Sequence, residues 1–370
     1  MAADVYLTLA GALGKTGVDW DNAYSIAEIQ TAFDDALGGG AGSNLYIEAD
    51  TYPINSGHGA AIDADAGAGS TTALNKIIVV NAITHLEDGS QAIFDGESTL
   101  ANVIRWDGAV DYTEMRGIEF INATDDALTH TNSGDSIRNY FYNCGFNNSV
   151  NGFDGNSAKF QYQALINCEW SGNSGNGLKS LTKNALIDNC TIYNNNRGLL
   201  TVREATINNS LIYGNTLENC YDNSFSIFVN TTIDGTKAGT NTIDGFGSGG
   251  PVYATGCRIT NHSGRGINNL SPCTSTCNYF YANALGDFSA TIAVLGGEYD
   301  RLSGVNTSDG YTDASTGDYT LQSDGDGVGI AVPIGSADEA TNISYRTQGM
   351  PPEYSSGGGG RIPRMRTHGV

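Results

Sequence analysis

Positive charge is scarce in this chain. Against 40 Asp and Glu there are 18 Lys and Arg among 370 residues, a formal net charge of −22 at pH 7. Such a balance repels nucleic acid and anionic membrane surfaces, so neither is an expected partner. It repels polyuronates as well, unless calcium or a local basic groove intervenes. Long apolar runs are also missing, and none approaches the ~20 residues of a membrane-spanning helix. Residues 1–20 lack the basic start and apolar core of a signal peptide, so export by an N-terminal signal is not expected. Charged residues make up only 16% of the chain and apolar ones 39%, which argues against disorder. Proline is rare (7) and glycine abundant (49), which suits a fold with several tight turns per unit.

What the chain has is a repeat. A small residue, a large apolar residue two positions later and an Asn-rich turn recur every 20–26 residues: Cys144/Phe146, Cys168/Trp170, Cys190/Ile192, Ser210/Ile212, Thr231/Ile233 and Cys257/Ile259. Ile118/Phe120 extends the series backwards. Inward residues two apart mark a strand, not a helix. The several leucines per unit of a leucine-rich repeat are absent. Units this short cannot bury an apolar face alone but stack into one continuous core. The pattern predicts an all-β parallel β-helix of about ten coils, on the order of 50 Å long at ~4.8 Å per coil.

The ends fit a solenoid. Ser25 and Glu28 form a capping box before a short helix that carries Ile26, Ile29, Phe33 and Leu37 on one face and stops at Gly38. A strand over 45–49 follows, and such a helix would cover the open end of the first coil. The expected organisation is an N-terminal segment with cap helix (1–43), a β-helix (44–335) and a C-terminal extension (336–370). That extension has a glycine hinge, 357–360, and a basic tail with Arg361, Arg364 and Arg366.

The segment around Asp19, Trp20 and Asn22, the helix, the strand to Tyr52 and a closing strand at 318–322 together resemble the right-handed parallel β-helix proteins of the pectate-lyase-like superfamily. The resemblance covers roughly 3–335. It implies the fold but not one function, since this fold hosts lyases, hydrolases, adhesins and phage tailspikes.

Cys144, Cys168, Cys190 and Cys257 occupy one repeat position and are expected inside as small hydrophobes. Cys273 and Cys277 lie close enough in sequence for a local disulfide. An odd cysteine count of 7 without a signal peptide fits a reducing site of synthesis.

Catalytic candidates are sparse. Asp125 and Asp126 form an acidic pair, and His58 lies between two glycines, but 67 residues before the pair. Adjacent strand residues point to opposite faces, so a turn pair capping backbone amides is the simpler reading. Under a lyase reading, Arg197, Arg203 and Arg265 would stabilise charge and Glu169 and Glu204 would hold calcium. No other cofactor and no metal site is expected; Asp324 and Asp326 fit a turn. Among the aromatics Tyr140, Phe141, Tyr142, Tyr162, Trp170, Tyr193 and Tyr213, the last pair should stack outside as a ladder that meets either a glycan or a neighbouring subunit.

The missing leader, the acidity, the hinged basic tail and the lack of a catalytic set favour a bacteriophage virion structural protein (capsid decoration, spike or fibre). Arg361, Arg364 and Arg366 would dock it to other virion proteins at the virion surface, with a surface glycan as a further partner. A homotrimer is what the resemblance implies. The alternative is an extracellular polysaccharide lyase or glycoside hydrolase, including a tailspike depolymerase, with Asp125, Asp126 and Arg203 as its catalytic set. A cell-surface adhesin is the third class.

Overall fold

The computed structural model describes residues 2–289 except 13, 15, 55–60, 65–68, 71, 107–109, 131–135, 157–159, 182, 237–241, 248, 269–272 and 277, together with strands at 294–296, 311–313 and 318–321. His58, Cys277, Asp324, Asp326, Arg361, Arg364 and Arg366 lie outside the described residues.

Three parallel sheets wind into one rod. Sheet A has twelve strands, from Asp4–Leu7 to Val294–Gly296, and sheet B has ten, from Thr51–Pro53 to Tyr279–Tyr281. Sheet C has eight, from Ile62–Ala64 to Asp244–Phe246. Ala164–Ile166 in sheet A, Glu169–Ser171 in B and Asn176–Lys179 in C make one coil; Leu186–Asp188, Thr191–Tyr193 and Arg197–Leu200 make the next. This is the parallel β-helix that the repeat predicts.

The repeat falls on sheet B. Phe146, Trp170, Ile192, Ile212, Ile233 and Ile259 are register partners in successive coils, and all are fully buried. Phe120, Phe146 and Trp170 stack face to face at centroid distances of 5.5 and 5.4 Å. The small residues two positions earlier line the corner between sheets A and B. Cys144, Cys168 and Cys190 are buried there as free thiols, with Cys190 Sγ 3.3 Å from the Leu165 carbonyl. Ser210 fills the same place with a hydroxyl that donates to the Asn208 carbonyl at 2.8 Å. Cys220, outside the sequence repeat, is buried on sheet C. Cys273 is buried on sheet A beside Val252; its proposed disulfide partner Cys277 is among the undescribed residues.

Asparagine makes the corners. Asn143, Asn167, Asn189, Asn209 and Asn230 precede the sheet B strands with φ between 48° and 56°, a left-handed conformation that Asn tolerates better than most residues. At the corner after sheet B the series runs Asn122, Asn148, Gly172, Asn194, Gly214, so glycine alternates with asparagine where φ must be positive. A second set points inward. Asn173 donates to Asn195 at 2.8 Å and Asn195 to Asn215 at 3.1 Å, a buried amide ladder that ties consecutive coils. The sequence reading assigned asparagine only to turns and missed this ladder.

At the N-terminus, Asp4–Leu7 pairs with Asn44–Glu48 and forms the first rung of sheet A. The Ser25/Glu28 capping box is formed, but it opens a 3₁₀ turn, Ile26–Glu28, that leads into the helix Ile29–Gly38. Ile29, Phe33 and Leu37 are buried, and Phe33 packs 6.3 Å from Phe94. At the other end, Asp318–Leu321 does not close a coil; it pairs antiparallel with Tyr311–Asp313. A partner a few residues away costs less loop-closure entropy than the next rung of a solenoid.

Candidate active site

Residues alternate in and out along each sheet B strand, so the middle strand residue is buried and its two neighbours form two outer rows. One row reads Glu119, Gly145, Glu169, Thr191, Leu211; the other reads Ile121, Asn147, Ser171, Tyr193, Tyr213. Gly145 lies between the two glutamates on adjacent coils. A Cβ there would meet Glu119 Cγ at 2.9 Å and Asn147 Nδ2 at 3.0 Å. The Glu119 side chain thus packs over the Gly145 backbone, beside a cleft of about 470 Å³ whose lining includes Glu119, Glu169, Gln91, Asn143, Asn147 and Asn167. No lysine or arginine is in that lining, and no cation pairs with Glu119 or Glu169 among the described residues.

One hydrogen-bond chain crosses the cleft floor. Asn147 Nδ2 donates to Glu119 Oε1 at 2.9 Å, and Asn147 Oδ1 accepts from the Ser171 amide (2.8 Å) and hydroxyl (3.0 Å). Glu169 Oε1 lies 3.1 Å from Ser171 Oγ and accepts the Tyr193 hydroxyl at 3.0 Å. Both glutamates are thereby held by one oxygen, which leaves the other for a ligand. On standard strand spacing their Cα atoms stand two rungs apart, about 9.6 Å.

Tyr193 and Tyr213 stack outside as the sequence suggests, with centroids 5.0 Å apart and planes 3° from parallel. Parallel stacking along the rod axis covers the facing ring surfaces and turns the ring edges outward. Burial pushes the Tyr213 hydroxyl up to about 12, helped by the neighbouring Tyr193 and Glu169 charges. Burial is also the main cause that raises Tyr193, so its hydroxyl stays protonated and donates to Glu169.

The catalytic set Asp125, Asp126 and Arg203 is not brought together. Asp125 sits exposed in the turn before the strand Asp126–His130, and its carbonyl accepts the Val150 and Asn151 amides. Asp126 begins that strand, nearly buried, and accepts from Asn151 Nδ2 at 2.8 Å. Arg203 lies three coils further on, about 14 Å along the axis, and is paired with Asp222. Arg197, a charge stabiliser under the lyase reading, pairs with Glu218 at 2.6 Å over the Tyr221 ring. Arg265 donates to the Phe288 carbonyl at 2.6 Å. Phe141 and Trp170 are core residues, not surface aromatics. Among the described residues no three His, Cys, Asp or Glu side chains gather to hold a metal ion.

Asp126 is the perturbed carboxyl of sheet C. Burial raises it to about 6, with smaller contributions from the Asp154 and Asp125 charges, against the lowering effect of the Asn151 hydrogen bond. Its neighbour Asp154 is ion-paired to Lys179 at 2.7 Å.

Glu119, Gly145, Asn147 and Ser171 were missed as site residues, and Glu169 was considered only as a calcium ligand. The signal was present in the repeat. The residue between the small and the large apolar position faces outward, and in three consecutive units it is Glu, Gly and Glu.

No family model matches the sequence, and no match to a curated protein was found. Among solved structures, the chain is similar to the pectate lyase Pel9A, with a TM-score of 0.59 and 14% identity over 89% of this chain and 91% of that one. Lower similarity is found to a rhamnogalacturonan lyase (TM-score 0.44, 14% identity, 74% of this chain and 82% of that one). An alginate lyase from Paenibacillus sp. str. FPU-7 gives a TM-score of 0.42 and 10% identity, over 77% of this chain and 99% of that one. With three long parallel sheets and the shared architecture of Pel9A, this chain has the right-handed parallel β-helix fold.

Proposed function

We propose that this chain is a polysaccharide-cleaving enzyme of the glycoside hydrolase type and that the sheet B cleft is its active site. The observation that carries this reading is the pair Glu119 and Glu169, which line one cleft from strands on either side of Gly145. Hydrolysis with inversion uses two carboxyls roughly 6.5–9.5 Å apart, one to protonate the leaving oxygen and one to activate water. Two rungs of a β-helix set the two Cα atoms about 9.6 Å apart, and glutamate side chains from that spacing reach carboxyl separations in this range. Glu169, whose Oε1 takes a tyrosine hydroxyl, is assigned the water-activating role. Glu119, held by a single amide, is assigned as the acid. The surrounding amides suit sugar hydroxyls, which both donate and accept.

Elimination is the weaker reading, because it asks for a base and a positive charge beside a uronate carboxyl. The cleft lining offers amides and carboxylates instead. The likeness to a pectate lyase supports the fold and leaves the chemistry to the site.

This reverses the order favoured from the sequence, where the virion structural role stood first. The docking arginines lie outside the described residues, whereas the residues of the cleft lie within them. A virion location, a trimer and partner virion proteins remain separate proposals that hydrolysis neither needs nor opposes.

The test is a polysaccharide screen for new reducing ends, with wild type beside Glu119→Gln and Glu169→Gln. Loss of cleavage in both variants with unchanged thermal midpoints supports the assignment. Cleavage that persists in the double variant, or products carrying unsaturated ends, would overturn it.

A further inference from the structure

Asn147 joins the two glutamates, and its orientation is fixed. The Ser171 main-chain amide lies 2.8 Å from one end of the Asn147 side chain. A main-chain N–H only donates, so that end is the carbonyl oxygen. The Nδ2 end therefore faces Glu119 and donates to its Oε1 at 2.9 Å. Because Nδ2 cannot accept, a proton carried by Glu119 sits on Oε2. A Cβ at position 145 would come within 3.0 Å of Asn147 Nδ2 and 2.9 Å of Glu119 Cγ, so glycine there keeps this contact uncrowded.

The Ser171 hydroxyl has a choice of acceptors. Its oxygen stands 3.1 Å from Glu169 Oε1 and 3.0 Å from Asn147 Oδ1, and it has a single proton to give. A charged carboxylate is the stronger acceptor, and Asn147 Oδ1 already holds the main-chain amide. While Glu169 is charged, the proton points to it and joins the Tyr193 hydroxyl there. When Glu169 is neutral, the proton turns to Asn147. Two donors on Oδ1 polarise the side-chain amide and strengthen its donation to Glu119. A stronger donor favours the charged form of Glu119. Charge on one glutamate thus disfavours charge on the other through the bridge as well as through space. With two hydroxyl donors against one amide, Glu169 is the partner that keeps the charge.

We propose that Ser171 is a positioning residue whose hydroxyl, acting through Asn147, makes the two glutamates share one proton and leaves it on Glu119. The link to catalysis rests on the hydrolytic reading above; the coupling of the two carboxyls does not. The other titratable groups around the pair are Tyr193 and Tyr213 on the following coils, Cys144 in the cleft wall and Asp95 on the coil before Glu119. Burial keeps both tyrosines and the thiol protonated, and Asp95 Oδ1 accepts from Asn122 Nδ2 and the Glu97 amide. Gln91, Asn143 and Asn167 in the cleft lining bring neutral amides.

A magnetic-resonance titration of the full chain, with carbon-13 in the glutamate carboxyls, reads both protons directly once Glu119→Gln and Glu169→Gln have assigned the signals. Ser171→Ala is expected to move the Glu169 step up by roughly one pH unit, because the charge loses a donor. Ser171→Thr keeps the hydroxyl and is expected to restore it. Coupling is read from Glu119. Replacing Glu169 with Gln is expected to lower the Glu119 step, and to lower it less when Ser171 is also Ala. Coupling through space alone would give the same fall in both backgrounds. Should Ser171→Ala fail to fold, Ser171→Cys, whose thiol is a weak donor, takes its place. A Glu169 step that ignores the loss of the hydroxyl, a shift that Ser171→Thr does not restore, or an equal fall of the Glu119 step in both backgrounds overturns the inference.

Kinetics separate the bridge from the reaction. On a polysaccharide that the wild type cleaves, the acid limb of the kcat/KM profile should follow the Glu169 step upward in Ser171→Ala, since the base must be charged to act. The expected titration without cleavage of any polysaccharide would sink the hydrolytic reading and keep the bridge. Cleavage with an acid limb that ignores Ser171→Ala would do the reverse.

Discussion

Sheets B and C wind around the same core with the same number of residues per turn, yet they treat surface charge in opposite ways. On and beside sheet C four acids are neutralised from the adjacent coil, while Asp126 and Asp244 are buried and held by neutral donors. Asp63 receives a two-pronged contact from Arg105 at 2.6 and 2.7 Å, Asp154 pairs with Lys179, Glu218 with Arg197 and Asp222 with Arg203. On the open part of sheet B, Glu119 and Glu169 have no cation and are positioned by neutral donors instead. The contrast teaches how to sort acids in a solenoid. A carboxylate matched one rung away ties coils together, whereas one that is oriented, not neutralised and open to solvent is available to a ligand.

The largest effect that would sharpen this contrast is on activity. Glu169→Gln should lower the hydrolysis rate by roughly 10²–10⁴-fold with an unfolding midpoint close to that of wild type, measured by reducing-end assay and circular dichroism. A comparable loss from Lys179→Met would break the contrast, because that residue belongs to the coil-tying class.

Stability effects come next. Trp170→Ala removes the ring stacked under the cleft and should cost about 3–5 kcal/mol by urea unfolding, as large-to-small core changes do. Asp126 gives a pH signature. Its folded value is raised to about 6, and the unfolded chain releases the proton near ~3.9. Folding therefore takes up a proton between these values, and stability should fall as pH rises through that window. Asp126→Asn should remove the slope and add on the order of 2–3 kcal/mol above pH 7. Urea titrations at pH 4, 5.5 and 7.5 check this, and a slope that survives in the variant would assign it to another group. Lys179→Met should cost the least, about 1 kcal/mol, since the pair is partly exposed.

Much of the fold was legible because the solenoid core is built from local spacing. Phe146, Trp170 and Ile192 announce a strand two residues after a small partner, and stacking follows from their repetition. The cap helix was legible for the same reason, since Ser25, Glu28 and the Ile29/Phe33/Leu37 face are near neighbours in sequence. The site was not. An acidic pair was sought at adjacent positions, Asp125 and Asp126, where a strand separates them. The pair that shares a cleft is fifty residues apart in sequence and meets only because a single coil, that of Gly145, intervenes at fixed height. The Tyr193–Tyr213 stack was legible as a contact, but its consequence was not. The two rings use their facing surfaces on each other, which leaves edges for a sugar. Asn173, Asn195 and Asn215 were read as turn formers because sequence does not tell an inward amide from an outward one.

The buried sulfurs give the rod an internal clock. Cys144, Cys168, Cys190 and Cys220 lie at successive heights along it, each sealed from water. Burial pushes the thiols of Cys144, Cys168 and Cys220 well above the usual range, so they are unreactive while their coils stay wound. In a structure whose units contact only their neighbours, unwinding propagates from one end. The order in which these four sulfurs become alkylated under mild denaturant therefore records the direction in which the molecule unzips, without any label being introduced.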